Sequence, residues 1–206
     1  MVGLSLIWMV LGYLSGSVLY AKVFEKWLGK DGALARSRDG NPGTANAFMY
    51  GGFLCATLTL LGDLLKGIIP VYLYVHASAY YGAEPSALPL VMAAPVLGHA
   101  FPVFFRFRGG KGIAVTFGCL IGLLPCWEPL VVLAAFFLLF TLIIRIIPHF
   151  CRTLATYILS AMTLCLITDQ RALILGFLLI AVIVGIRLSM SHEEKQKLEV
   201  KLLWMR

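Results

Sequence analysis

The chain has 206 residues, of which 60% are hydrophobic and only 13% are charged, and its mean hydropathy is +0.90. Soluble domains carry about 25% charged residues, so this composition excludes an ordinary soluble protein and predicts an integral membrane protein. The formal net charge of +7 comes from Lys and Arg at the ends of apolar segments. That placement fits anionic lipid headgroups and argues against a nucleic-acid-binding surface.

Seven apolar segments predict an all-α membrane protein with about seven transmembrane helices, forming a single domain over residues 1–206. The first segment is long enough to span a bilayer and others follow it, which favours a membrane span over a removable signal peptide. Pro125 and Pro129 divide one apolar run into the fourth and fifth spans, and a single proline-kinked helix is the alternative there. The predicted spans are about 4–24, 51–75, 88–105, 113–127, 130–147, 153–169 and 172–188.

The distribution of basic residues predicts the orientation of these spans. With the N-terminus outside and the C-terminus in the cytoplasm, only Arg171 of the 17 Lys and Arg residues faces outward and only Lys66 lies within a span. This asymmetry is what the positive-inside rule expects for a cell-membrane protein. Three polar segments then share the cytoplasmic face: the loop 25–50, the turn 106–112 and the tail after Arg187.

Two of these segments are rich in glycine. Gly109, Gly110 and Gly112 surround Lys111 in a basic turn, and Gly40–Asn46 precedes the second span. Glycine-rich turns let backbone N–H groups approach an anion closely, and a lysine adds positive charge. The alternatives are a positive loop that only sets topology and, for Gly40–Asn46, an ordinary turn with a helix cap. Together the two segments indicate a phosphate site at the membrane surface.

Polar residues inside the spans have a structural and a functional interpretation. Asp63 and Lys66 are three residues apart and can neutralise each other on one helix face. Ser17 belongs to a stripe of small residues, Gly12–Ser17, that permits close helix packing or forms the wall of a groove. His99 has two interpretations: it is either a packed histidine that donates to a backbone carbonyl, or it acts as a general base.

Metal and cysteine chemistry are not expected. The four histidines and five cysteines are scattered, so neither a metal site nor a disulfide framework is predicted. No cofactor is expected either. His192 and Glu194 begin a tail that is either a solvated amphipathic segment or part of a site.

The order of these motifs resembles the PlsY family of acyl-phosphate:glycerol-3-phosphate acyltransferases. The resemblance covers roughly the first 120 residues. It rests on Gly12–Ser17, Gly40–Asn46, Asp63–Gly67, Leu97–His99 with Pro102–Phe104, and Gly109–Ala114. It implies a cytoplasmic active site that transfers a fatty acyl group from acyl phosphate to glycerol 3-phosphate and yields lysophosphatidate for phospholipid synthesis.

The resemblance also implies roles for individual residues. Lys111 and His192 are the expected catalytic residues. The expected substrate-binding residues are Gly40, Asn41, Gly43, Thr44, Asn46, Ser17, His99, Gly109, Gly110, Gly112 and Glu194. The expected partners are acyl phosphate, glycerol 3-phosphate and the lipid bilayer.

Three positions depart from the family pattern. Asp39 stands where the family usually has serine, Met49 where it tends to have arginine, and Lys195 where it has asparagine. A negative charge at Asp39 opposes anion binding unless a nearby cation offsets it. The departures leave two alternatives open. One is a catalytically weak paralogue that binds acyl phosphate, lipid or a partner protein; the other, less favoured, is a small transporter.

Overall fold

The computed structural model describes residues 2–37, 39–81, 85–191 and 199–202, and these form a helical bundle with one short β-ribbon. The helices are α1 (Val2–Gly16), α2 (Tyr20–Trp27), α3 (Thr44–Asn46), α4 (Phe53–Tyr81), α5 (Leu88–Ala100), α6 (Ile113–Ile121), α7 (Glu128–Leu138), α8 (His149–Ile167) and α9 (Arg171–Ser189). Five-residue π-helical turns extend α3 over Ala47–Gly51 and α7 over Leu139–Ile143. Three-residue 3-10 turns lie at Leu34–Arg36, Pro85–Ala87 and Val103–Phe105.

Four segments of the described chain are long and apolar enough to cross a membrane: Phe53–His76, Leu88–Phe105, His149–Ile167 and Arg171–Ser189. A fifth span exists if α1 and α2, which meet at a bend of 42°, cross together. The predicted helical membrane fold is confirmed. The count of seven crossings and the orientation of the two termini stay predictions.

Two predicted spans are shorter helices in the structure. The segment 113–127 contains only the nine residues of α6, because the chain turns after Ile121 and reaches Pro125. The segment 130–147 begins at Glu128 and its helical part ends at Ile143, after which residues 144–147 are extended. Proline disfavours a helical conformation in the residue before it, which fits the extended conformation of Ile147 before Pro148.

The extended residues form a β-ribbon that the sequence pattern did not predict. Strand β1 (Ile144–Ile147) pairs antiparallel with β2 (Glu199–Leu202), with Ile144 opposite Leu202 and Ile147 opposite Glu199. The ribbon therefore joins the segment before α8 to the C-terminal end of the described chain.

Close contact between α1 and α5 explains the small residues of the first helix. A Cβ atom at Gly16 would lie 2.1 Å from the Pro95 carbonyl oxygen, and one at Gly98 would lie 2.1 Å from the Tyr13 carbonyl oxygen. The two helices can approach this closely only because glycine, which has no side chain, stands at each contact position, as the small-residue rule for membrane helices expects. The packing fixes the end of α5, which carries His99, against α1.

Candidate active site

A cavity of about 760 Å³ lies beside Lys111. Its walls come from the loop before α3, from α4, from the end of α5 and from the beginnings of α6 and α8. One side is polar, and the other is formed by aliphatic and aromatic side chains. The lining residues are Asp39, Asn41, Gly43, Thr44, Ala45, Asn46, Met49, Tyr50, Leu60, Asp63, His99, Lys111, Gly112, Ile113, Ala114, Phe117, Pro148 and His149.

Gly109 and Gly110, which precede Lys111, lie so close to His99 that neither position has room for a side chain. A Cβ atom at Gly110 would lie 2.2 Å from His99 Nε2, and one at Gly109 would lie 1.8 Å from the His99 carbonyl oxygen. The Gly110 N–H donates to that carbonyl at 3.0 Å. This corrects the expectation that the Gly110 N–H is offered to a ligand, because its hydrogen bond is already made within the protein. The turn is thus packed directly against the end of α5.

Helix α6 begins at the cavity wall. Gly112 has a φ of +82°, a left-handed conformation that glycine adopts without steric cost. The next two residues, Ile113 and Ala114, line the cavity. N–H groups in the first turn of a helix have no acceptor within that helix, and the helix dipole makes this end positive. The cavity therefore receives Lys111 and the positive end of α6 from the same short segment.

Lys111 is paired with Asp39 across the cavity. Its Nζ lies 3.0 Å from Asp39 Oδ2, and both side chains are nearly buried. Asp39 Oδ1 accepts from Asn46 Nδ2 at 2.8 Å and from the Asn41 N–H at 3.2 Å. Burial raises the pKa of Asp39, but these hydrogen bonds and the charge of Lys111 outweigh it and lower the pKa below its ordinary value of 3.8. Asp39 is consequently an anion at neutral pH.

Asp63, Lys66 and His99 form a buried network behind this pair. Lys66 Nζ lies 2.8 Å from Asp63 Oδ1, as the spacing in the sequence predicted, and it donates to the Val18 carbonyl at 2.7 Å. It also lies 2.8 Å from His99 Nδ1. Since an ammonium group only donates, Nδ1 is the acceptor and the ring proton of His99 is placed on Nε2. His99 is a packed histidine, as expected, but its partner is Lys66 and not a backbone carbonyl.

The structure brings seven of the predicted site residues to the cavity and leaves four away from it. Asn41, Gly43, Thr44, Asn46, His99, Lys111 and Gly112 line it. Gly40, Gly109 and Gly110 are not among the lining residues and shape the two turns instead. Ser17 is fully buried, and its hydroxyl donates to the Tyr13 carbonyl at 2.8 Å and accepts from the Val103 N–H at 3.4 Å, so its polar atom is used within the protein. His192, Glu194 and the altered position Lys195 lie outside the described residues.

Several residues that line the cavity were not predicted from the sequence. His149 and Pro148 lie beyond the first 120 residues that carry the resemblance, and no motif marked them. Leu60 and Phe117 are apolar residues inside predicted spans, where nothing in the pattern separates a cavity wall from a lipid-facing side chain. Among the described residues, no three His, Cys, Asp or Glu side chains are grouped so as to hold a metal ion.

The family model "Glycerol-3-phosphate acyltransferase" matches residues 6–198. The chain belongs to this family. A curated glycerol-3-phosphate acyltransferase of Paraburkholderia phytofirmans is 41% identical over 121 residues, which cover 59% of this chain and 56% of that protein. The enzyme of Pseudomonas aeruginosa strain LESB58 is 40% identical over 132 residues, or 63% of this chain and 66% of that protein. The aligned segment thus spans just over half the length of the first of these relatives.

Two solved structures share the fold of this glycerol-3-phosphate acyltransferase family member. Both are crystal structures of PlsY (YgiH), described as an integral membrane glycerol 3-phosphate acyltransferase, in a glycerol 3-phosphate form and a lysophosphatidic acid form. Each is 26% identical and covers 89% of this chain and 87% of its own, with TM-scores of 0.74 and 0.72. The similarity therefore extends well beyond the 120 residues that carry the sequence motifs.

Proposed function

We propose that this chain is a membrane acyltransferase that moves a fatty acyl group from acyl phosphate to the 1-hydroxyl of glycerol 3-phosphate. The observation that carries the proposal is the cavity in which Lys111, Asn41 and Asn46 lie at one wall and Leu60 and Phe117 at another. One wall suits phosphate groups and the other suits a hydrocarbon chain. Membership of the family and its PlsY-type fold support the same reaction.

The proposed chemistry requires positioning more than covalent catalysis. Acyl phosphate is a mixed anhydride, so the acceptor hydroxyl attacks its carbonyl carbon directly. The new ester C–O bond forms, the C–O bond to phosphate breaks, and the hydroxyl proton leaves with the phosphate. No enzyme nucleophile is needed. What accelerates such a step is holding both reactants in register and neutralising the charge on the departing group.

Lys111 is the residue proposed to neutralise the departing phosphate, helped by the positive end of α6. Asn41, Gly43, Thr44 and Asn46 are proposed to bind the second phosphate through amide, hydroxyl and backbone donors. His99 is proposed to bind substrate through the proton on Nε2. His192 as a second catalytic residue and Glu194 as a substrate-binding residue stay predictions from the resemblance. The site is proposed to face the cytoplasm at a bacterial cell membrane.

An assay with purified protein in lipid tests the proposal. Acyl phosphate and glycerol 3-phosphate are supplied, and release of inorganic phosphate and formation of lysophosphatidate are both measured. Wild-type protein should form both products, and Lys111→Ala should abolish turnover. Lys201→Ala is the matched control, because Lys201 is exposed on β2 and pairs with Glu199 away from the cavity. Absence of product from wild-type protein with a panel of polyol phosphates would overturn the proposal.

One observation favours the alternative, a protein that binds acyl phosphate or lipid without turnover. Asp39 already occupies Lys111 and Asn46, which are donors that a substrate phosphate needs. If wild-type protein binds acyl phosphate but releases no product in the same assay, this second function is the correct one.

A further inference from the structure

The charge balance of the cavity is unfavourable for a phosphate group as the lining residues stand. The charged lining residues are Lys111, Asp39 and Asp63, and Asp63 is neutralised by Lys66 behind it. Lys111 is neutralised by Asp39. The family's arginine is absent because Met49 stands in its place. A doubly charged phosphate leaves water only when donors and positive charge replace its hydration. The lining alone supplies no net positive charge.

Arg187 lies directly behind this wall. It is in the last turn of α9, half-buried, and its Nη2 donates to the carbonyl of Gly109, two residues before Lys111. It interacts electrostatically with Asp39 and with His99, both of which line the cavity. Its Nε is buried and has no hydrogen-bond partner within the described part of the chain. Arg187 is not itself among the lining residues, so its charge acts on the cavity from behind the turn that carries Lys111.

We propose that Arg187 is the second cation of the phosphate site and supplies the positive charge that is missing at Met49. With Lys111 and Arg187 set against Asp39, the cluster carries a net charge of one positive unit. The guanidinium group keeps its positive charge and is held in place by its hydrogen bond to the Gly109 carbonyl, so it acts on a bound phosphate through its charge. The ligand class is a phosphate monoester or acyl phosphate; its identity as substrate rests on the proposed function, but the charge balance does not.

A merely structural role for Arg187 makes a different prediction. If the side chain only holds the Gly109 carbonyl, removing it lowers stability and loosens the turn, and positive charge placed elsewhere in the cavity cannot compensate. If it supplies charge to the anion, a cation introduced at another point of the cavity wall restores binding. Met49 provides that point, because it lines the cavity and its side chain is largely exposed.

The experiment measures equilibrium binding of glycerol 3-phosphate and of inorganic phosphate to purified protein in lipid nanodiscs, without turnover. Arg187→Gln should weaken binding of both by about ten-fold, the scale expected for loss of one positive charge close to a partly buried anion. Arg187→Lys should retain part of the affinity. Arg171→Gln, at the exposed opposite end of the same helix, should bind like the wild-type protein.

Rescue decides between charge and structure. Met49→Arg combined with Arg187→Gln should recover most of the lost affinity, whereas Met49→Gln in the same background should not. Unchanged binding in Arg187→Gln, or equal results for the two double variants, would overturn the proposal. Acyl transfer is assayed separately on the same samples. Phosphate binding that depends on Arg187 without any turnover would therefore refute the proposed function and leave this inference standing.

Discussion

Asp39 is one of the three residues that the resemblance predicts to depart from the family pattern, and the structure gives it three donors: Lys111, Asn46 and the Asn41 N–H. These are groups that a bound phosphate would otherwise use. Asp39 therefore acts as an internal anion that any phosphate ligand has to displace or share. We expect Asp39 to lower the affinity for phosphate and to keep the donors aligned when no ligand is bound.

Replacing Asp39 with serine should strengthen acceptor binding. Asp39→Ser frees Lys111 and leaves a hydroxyl that Asn46 can still contact. We expect KM for glycerol 3-phosphate to fall several-fold, about what loss of one partly screened charge gives, with a smaller change in kcat. Steady-state kinetics in the acyl-transfer assay measure this. A higher KM would show that alignment of Asn46 by Asp39 matters more than repulsion.

The same residue should make stability depend on pH in a defined window. The pKa of Asp39 is lower in the folded protein than its ordinary value of 3.8, so its contribution is fully present above that value. The contribution is lost as pH falls below 3.8 through the folded pKa. The difference in unfolding free energy between wild type and Asp39→Asn should be constant above about pH 5 and shrink in stronger acid. Detergent-phase unfolding at a series of pH values tests this, and a difference that grows toward low pH would contradict it.

For individual residues, the sequence predicts those that lie within one motif and does not predict contacts between residues of different motifs. The glycine-rich pattern indicated the two segments, the resemblance selected Lys111, Asn41 and Asn46 within them, and all three line one cavity. The partners of Asp39 and the contact of Arg187 with Gly109 depend on how distant segments fold together. Neither follows from spacing along the chain, although Asp39 was identifiable as a departure.

The contact between α1 and α5 shows how one pair of helices positions the site. His99 is at the end of α5 and contacts Gly110, so a change in the distance between α1 and α5 is transmitted to the turn that carries Lys111. Small residues in α1 indicated close packing, but the sequence did not identify the partner helix. Only the tertiary contact assigns it to α5.

Gly98→Ala should destabilise the protein because its new Cβ would overlap the Tyr13 carbonyl oxygen. Overpacking of this kind costs about 1–3 kcal/mol, and acyl transfer should fall along with stability. Gly3→Ala in α1 is the matched control, since no atom lies within 4 Å of its added Cβ. Thermal unfolding in detergent compares the two variants. Equal unfolding temperatures would show that α1 and α5 are separated by more than the structure indicates.

Helix boundaries were predicted well where a span is uninterrupted and poorly near proline. The predicted spans 153–169 and 172–188 correspond to α8 and α9 within a few residues. Around Pro125 and Pro148 apolar composition continues while the backbone does not remain helical. Hydropathy measures how a segment partitions into lipid and carries no information on whether its backbone hydrogen bonds are helical.

For the whole molecule, the proposed site requires its two glycine-rich segments to lie on one side of the membrane. Cysteines placed singly at Ala45 and Arg108, in a background without the native cysteines, should react with an impermeant maleimide from the same side only. A cysteine placed at Asp169, in the exposed connection between α8 and α9, should react from the opposite side. Labelling of positions 45 and 108 from different sides would remove the basis for a shared phosphate site.

The β-ribbon connects residues 199–202, near the carboxyl end of the chain, to the cavity wall. Strand β2 is hydrogen-bonded to β1, and β1 leads immediately into Pro148 and His149 on the cavity wall. A protein shortened to end at Ser191 would leave β1 without its partner strand, so the wall would lose this support, and it would also lose His192 and Glu194, the tail residues that the resemblance assigns to the site. Affinity tags and reporter fusions are therefore better attached at the amino end of this protein.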